Sequence, residues 1–198
     1  MKRIIMHWSA GSHTASNLDM EHYHFIVQGD GSVVVGKYTV ADNESASDGK
    51  YAAHTKDCNT GSIGIAMAAM AGAVESPFHA GAFPITPVQL EAFTKLAARL
   101  ARDYNIPITP TTILSHAEVQ PTLGIKQNGK WDIAWLPGMA KPADPVTVGG
   151  ALRSMIFDAQ KPAPMVAPPG PSAAPPSVAK PGALAAFITA IAALFRKA

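Results

Sequence analysis

Residues 62–70 read SIGIAMAAM, an apolar run without a single charged residue. A strand of this kind is covered on both faces, which places it in the middle of a sheet, although its alanines leave a helical reading open. Towards the N-terminus, residues 3–8 (RIIMHW) read as a second buried strand that stops at Ser9-Ala10-Gly11. Between these two lie the apolar runs Tyr23 to Val27 and Ser32 to Gly36, joined through Gly29-Asp30-Gly31, a hairpin signal. Towards the C-terminus, Thr86 is placed to cap a helix, with Pro87 at its first position and Gln89 completing a capping box. Leu90, Phe93, Leu96, Ala97 and Leu100 then recur at helical spacing until Asn105 and Pro107 end the helix. Thr111 to Ser115 reads as a short strand that delivers His116, and Asp144-Pro145 opens a last helix to about Asp158. Residues 39–61 and 120–143 read as long loops. The expectation is an α/β domain over residues 1–158, with a mixed central β-sheet flanked by helices.

Composition agrees with a packed domain and narrows its partners. The chain of 198 residues is 47% hydrophobic and 15% charged, the opposite balance to a disordered chain. A net charge of +2, without a dense Lys/Arg block before residue 160, argues against a nucleic-acid partner. Cys58 is the single cysteine, so no intramolecular disulfide supports the fold. The start, MKRIIMHWSAG, has too short an apolar run for a secretion signal and reads as the first strand. From Lys161 the composition shifts. Residues 161–182 are dominated by Pro and Ala and read as an extended linker. Residues 183–198 place Leu184, Phe187, Ile188, Ile191, Leu194 and Phe195 at helical spacing before Arg196-Lys197. Such a C-terminal amphipathic helix is short of a ~30 Å hydrocarbon core, so contact with a membrane surface is expected rather than a span. A helix that docks on the domain or pairs with itself is the alternative.

The candidate chemistry lies in residues far apart in the chain. A catalytic zinc takes three protein ligands and keeps one position open for water. His7 at the end of the first strand, His116 after the Thr111–Ser115 strand and Asp132 in the following loop would make such a set. Spacing alone does not separate them from ordinary core or surface residues. Glu118, two residues from His116, is the rival carboxylate.

The surrounding words carry more. HYHFIV at 22–27 leads into the GDG at 29–31, followed by AHTKDCNTGSIGI at 53–65, ILSHAEV at 113–119 and GKWD at 129–132. In this order they resemble the zinc amidase and peptidoglycan recognition protein family, which includes phage lysozymes that are N-acetylmuramoyl-L-alanine amidases. The resemblance spans about residues 3–140. It implies Zn2+ held by His7, His116 and Asp132, catalytic roles for Tyr23 and Lys130, and a substrate groove along His54 and Asn59. A branch of the family carries a catalytic glutamate directly after Ser-Ile-Gly-Ile. Here that position is Ala66, which favours the version with Tyr23 and Lys130. The stretch of 15 residues between His116 and Asp132 is long for the family, and its part around Leu123 to Gly129 is expected at the groove rim.

The resemblance thus implies an endolysin-type peptidoglycan hydrolase. It would be made in the cytoplasm without a signal peptide and act on the cell wall after phage-like lysis, cutting between N-acetylmuramic acid and L-alanine with a zinc-activated water. Lys130 would stabilise the oxyanion, and Tyr23 would position water or relay a proton. The alternatives are a peptidoglycan-binding module without activity and a cytosolic muropeptide-recycling amidase. Plainer roles accompany these. Trp8, Trp131 and Trp135 flank the proposed ligands, and Trp131 either stacks on substrate sugar or packs around the metal site. His24 is expected to be structural, Cys58 a bystander thiol, and Lys56 either solvated or in contact with substrate carboxylates.

Overall fold

Arg3–Trp8 (β1) and Ser62–Met67 (β4) pair in parallel at the centre of a sheet, with Ile5 opposite Gly64 and His7 opposite Ala66. The computed structural model describes residues 1–161. The linker beyond Lys161 and the helix expected over residues 183–198 lie outside the described residues. Among the described residues the sheet has five strands in the order β3-β2-β4-β1-β5. Ile113–Ser115 (β5) pairs in parallel with β1, and Phe25–Val27 (β2) in parallel with β4. Val33–Val35 (β3) returns antiparallel on β2 at the edge. β4 is buried along its whole length, as its unbroken apolar pattern requires. It ends at Met67 rather than Met70 because Trp8 and Val27, its last partners on either side, are opposite Met67.

Alternation along the strands divides the sheet into two unlike faces. Ile4, Met6 and Trp8 of β1 and Ile63, Ile65 and Met67 of β4 join the main core. Pro87–Asp103 (α2) and Pro145–Gln160 (α4) cover that face with Phe93, Leu96, Leu100, Val148, Leu152 and Ile156. Each fully buried side chain of this kind is worth about 1.5–3 kcal/mol. Both helices start at the capping residues read from the sequence, Thr86 with Gln89 and Asp144 with Pro145. The opposite face presents His7, Gly64 and Ala66, beside a small cluster of Ile5, Leu114, Val119 and Cys58. The site is built on that second face.

Two helices were not foreseen. Asn17–His22 (α1) is too short to show apolar periodicity, yet Ser16 and Asp19 close a capping box at its start. His116–Leu123 (α3) takes up residues expected as strand end and loop. Its capping box joins Ser115 to Glu118, and Gly124, with φ 71°, ends it. The loop at 39–61 contains a 3₁₀ turn, Val40–Glu44, and is held by buried Asn43. The Asn43 amide bonds Ala52 on both its N–H (2.8 Å) and its carbonyl (3.0 Å). Among the described residues no helix is long and apolar enough to cross a membrane.

The start of α3 is braced from α4. Glu118 accepts the Ser115 N–H at 2.8 Å and pairs with Arg153 at 2.8 Å, both side chains being buried. Arg153 also donates to the Ile113 carbonyl at 2.9 Å. Gly149 makes this possible, because a Cβ there would fall 1.8 Å from the Glu118 carboxylate. Burial pushes the Glu118 carboxyl up, against the lowering contacts from Ser115 and Arg153. Arg153→Met should therefore destabilise the domain by about 3–5 kcal/mol, since it strands a buried carboxylate. In denaturant unfolding, the Arg153→Met/Glu118→Gln pair should lose less than Arg153→Met alone.

Candidate metal centre and active-site cleft

His7 projects from β1 onto the face opposite α2 and α4 and is fully buried. Its strand neighbours there, Gly64 and Ala66, are small, and the loop at 53–55 lies close over them. A Cβ on Gly64 would come 2.3 Å from the His54 ring, so the glycine of the Ser-Ile-Gly word is the space into which His54 packs. β5 and the capped start of α3 deliver His116, and the loop after α3 delivers Asp132.

These three side chains converge. Asp132 Oδ2 lies 3.0 Å from His7 Nδ1 and 3.2 Å from His116 Nδ1. One ligand atom from each of the three lies within 4.8 Å of the others, and all three residues are buried. Burial, joined by the repulsion of His116, holds the His7 imidazole down to about 4, against the raising contact with Asp132. Burial also pushes the Asp132 carboxyl up, but the contacts from His116 and His7 outweigh it and the net direction is down. The result is a neutral imidazole beside an ionised carboxylate. Among the described residues no lysine or arginine pairs with that carboxylate.

His116 and Asp132 line a cleft of about 630 Å3, and His7 lies buried directly beneath Asp132. Tyr23, His54, Lys56, Gln127, Lys130 and Trp131 line its walls. The Tyr23 ring lies 5.1 Å from that of His7. Burial, with the nearby charges of Asp132 and Asp19, pushes its hydroxyl up, so the phenol keeps its proton. Lys130 is exposed at the mouth and pairs with no carboxylate among the described residues. Trp131 both lines the cleft and packs edge-on against Trp8 at 4.7 Å. His54 Nδ1 sits 2.8 Å from Thr55 Oγ1 and 3.3 Å from His7 Nε2.

Other candidates are placed elsewhere. Asn59 does not line the cleft, and its side chain accepts the Thr55 N–H at 2.8 Å to close the loop. Glu118 is not a rival ligand, because α3 turns it away into the ion pair with Arg153. Trp135 is buried and donates to the Met139 carbonyl at 2.9 Å. His24 is structural, held between the Asn43 side chain (3.1 Å) and the Gly64 N–H (2.9 Å). Cys58 is buried in the small cluster with Ile5 and Leu114, away from the cleft lining, and accepts from Arg3 at 3.0 Å. Sequence reasoning missed Gln127, whose side chain meets His116 Nε2 at 2.9 Å. A lone glutamine in a polar loop carries no sequence signal for that contact.

Residues 1–138 match the family described as N-acetylmuramoyl-L-alanine amidase (Amidase_2). Among solved structures, the chain is similar to the N-acetylmuramoyl-L-alanine amidase LysC from Clostridium intestinale URNW. Identity is 18% and the TM-score 0.39, over 63% of this chain and 86% of that one. It is also similar to the Ph2119 endolysin from Thermus scotoductus MAT2119 bacteriophage Ph2119, at 14% identity and a TM-score of 0.45, over 80% and 83% of the two chains. A third similar structure is the ectodomain complex of peptidoglycan recognition proteins LCa and LCx bound to tracheal cytotoxin. There identity is 22% and the TM-score 0.39, over 59% and 70%. No curated protein matches the chain in sequence.

Buried neutral histidines make the metal-free domain sensitive to acid. An ordinary histidine titrates near 6.5, whereas folded His7 takes its proton only near 4. Between those values the unfolded chain binds a proton that the folded chain refuses, so stability falls as pH drops through that window. His54, held well below the ordinary value by burial, acts in the same direction. The Tm of chelator-treated protein should therefore decline from pH 6.5 towards 4, and His7→Asn should flatten that slope.

Proposed function

The chain belongs to the N-acetylmuramoyl-L-alanine amidase family, and from that membership we propose that residues 1–158 form a zinc amidase domain cutting peptidoglycan between N-acetylmuramic acid and L-alanine. The observation that carries the zinc reading is the buried convergence of His7, His116 and Asp132, the last two of which line the cleft. Burying a carboxylate between imidazoles, one of them held neutral, leaves a negative charge without a permanent cation, a costly arrangement unless an ion completes it. Zinc bonds of about 2.0–2.1 Å set tetrahedral donor separations of about 3.3 Å. The two nitrogen–oxygen distances of 3.0 and 3.2 Å fit that scale. Two histidines and a carboxylate are also a donor set that leaves a position open for water. Bound there, zinc supplies Lewis acidity, acidifying a water and polarising the amide carbonyl.

The remaining work falls to the cleft walls. Attack on the amide builds negative charge on the carbonyl oxygen, and the Lys130 ammonium at the mouth stabilises it. Tyr23 keeps its phenolic proton and offers a hydrogen bond beside His7 as the amine leaves. Ala66 lies opposite His7 on β4 and contributes only a methyl group, so no carboxylate from that strand serves as a base. His54 and Trp131 present the surfaces along which the glycan and its peptide stem lie. The setting is cell-wall breakdown of the endolysin type.

Mass analysis of digested peptidoglycan tests this reading. The expected products are free stem peptides that begin with L-alanine, and new reducing sugar ends without them would overturn it. His7→Ala and His116→Ala should each reduce release to background and remove stoichiometric zinc. Lys130→Ala should retain zinc while kcat falls about 10²–10³-fold.

A further inference from the structure

Gln127 has no place in the chemistry above, yet it is buried at 5% exposure and makes contacts in several directions. Its side-chain Nε2 donates to the Lys56 carbonyl at 2.9 Å, and its backbone N–H donates to Gln120 Oε1 at 2.9 Å. Its Oε1 lies 2.9 Å from His116 Nε2. The orientation of the amide follows from its partners. A backbone carbonyl only accepts, so the NH2 end must face Lys56 and the oxygen must face His116. An amide oxygen in turn only accepts, so His116 Nε2 carries a hydrogen.

A metal-binding imidazole carries a single ring hydrogen, and that requirement decides the other nitrogen. With the hydrogen of the neutral imidazole on Nε2, Nδ1 holds its lone pair, and this is the atom 3.2 Å from Asp132 Oδ2. Two acceptors at that distance repel unless a proton or a metal ion lies between them. Resting on the zinc reading, we propose that Gln127 is a positioning residue. It holds His116 in the tautomer whose Nδ1 faces the metal, and it ties the loop at 124–132 to the loop at 53–56 across the cleft. Hydrogen-bond partners of metal-bound histidines commonly act in this way, and their loss costs about 10–100-fold in metal affinity.

Two substitutions separate the acceptor from the tie. Gln127→Leu removes both. Gln127→Glu keeps an oxygen for His116 but loses the donor to Lys56. The His116 tautomer is read in metal-free protein from long-range proton–nitrogen NMR of its ring, and zinc affinity by chelator competition. The proposal expects a hydrogen on Nε2 in wild type and Gln127→Glu, and its loss in Gln127→Leu. Zinc affinity should fall about 10–100-fold in Gln127→Leu and be retained in Gln127→Glu, with only the Tm of the latter reduced. Equal tautomer and affinity in wild type and Gln127→Leu would overturn the proposal, as would equal losses of affinity in both variants. If Gln127→Leu does not fold, the Nε2–H signal of Gln127→Glu decides, its presence supporting the proposal and its absence overturning it. A wild-type protein that binds no zinc would overturn the metal reading, while the NMR comparison would still decide the part played by Gln127.

Discussion

One carboxylate oxygen, Asp132 Oδ2, is shared by the Nδ1 atoms of His7 and His116 at 3.0 and 3.2 Å. The three residues come from a strand, a helix start and a loop, so this meeting point constrains much of the second face of the sheet. A buried carboxylate tolerates no loose neighbours, because an unpaired charge at low dielectric costs several kcal/mol. The surroundings are correspondingly exact in shape. Gly64 leaves room for the His54 ring, which packs beside His7. Gly149 leaves room for the Glu118 carboxylate, which caps the helix that begins with His116.

The sheet separates stability from chemistry. The face carrying Ile4, Met6, Ile63 and Ile65 is closed by α2 and α4 and holds most of the apolar core. The face carrying His7 is closed by loops and the short α3, where the apolar cluster is small. Polar contacts replace apolar area there. Asn43 holds the first loop, Gln127 joins two loops, and Arg153 reaches from the helical layer to the carbonyl of Ile113 and the carboxylate of Glu118. The cleft is therefore exposed at Lys130 and Lys56 and buried at His116 and Asp132.

Much of the framework was legible because its signals are local. The capping words at Thr86 and Asp144 marked both long helices to the residue, and the unbroken apolar run from Ser62 marked the central strand. The same kind of signal was present but unread at Ser16 and Ser115, where the helices that follow are too short to add periodicity. That omission had a chemical consequence. Read as extended chain, Glu118 stood as a rival ligand beside His116. As the third residue of a helix, it caps that helix and pairs with Arg153.

Residue order alone determined an α/β domain, the positions of its long helices and, through the words around His7, His54, His116 and Asp132, the family of the chain. Those are properties of local pattern and motif, and they need no knowledge of what lies across space. The tertiary structure decided which donors meet, because His7 and Asp132 are 125 residues apart and only the parallel pairing of β1 with β5 brings their elements together. It also turned Asn59 into the loop and away from the cleft. And it brought Gln127 against His116 and the Lys56 carbonyl, a contact that forms only once two distant loops close over one face of the sheet.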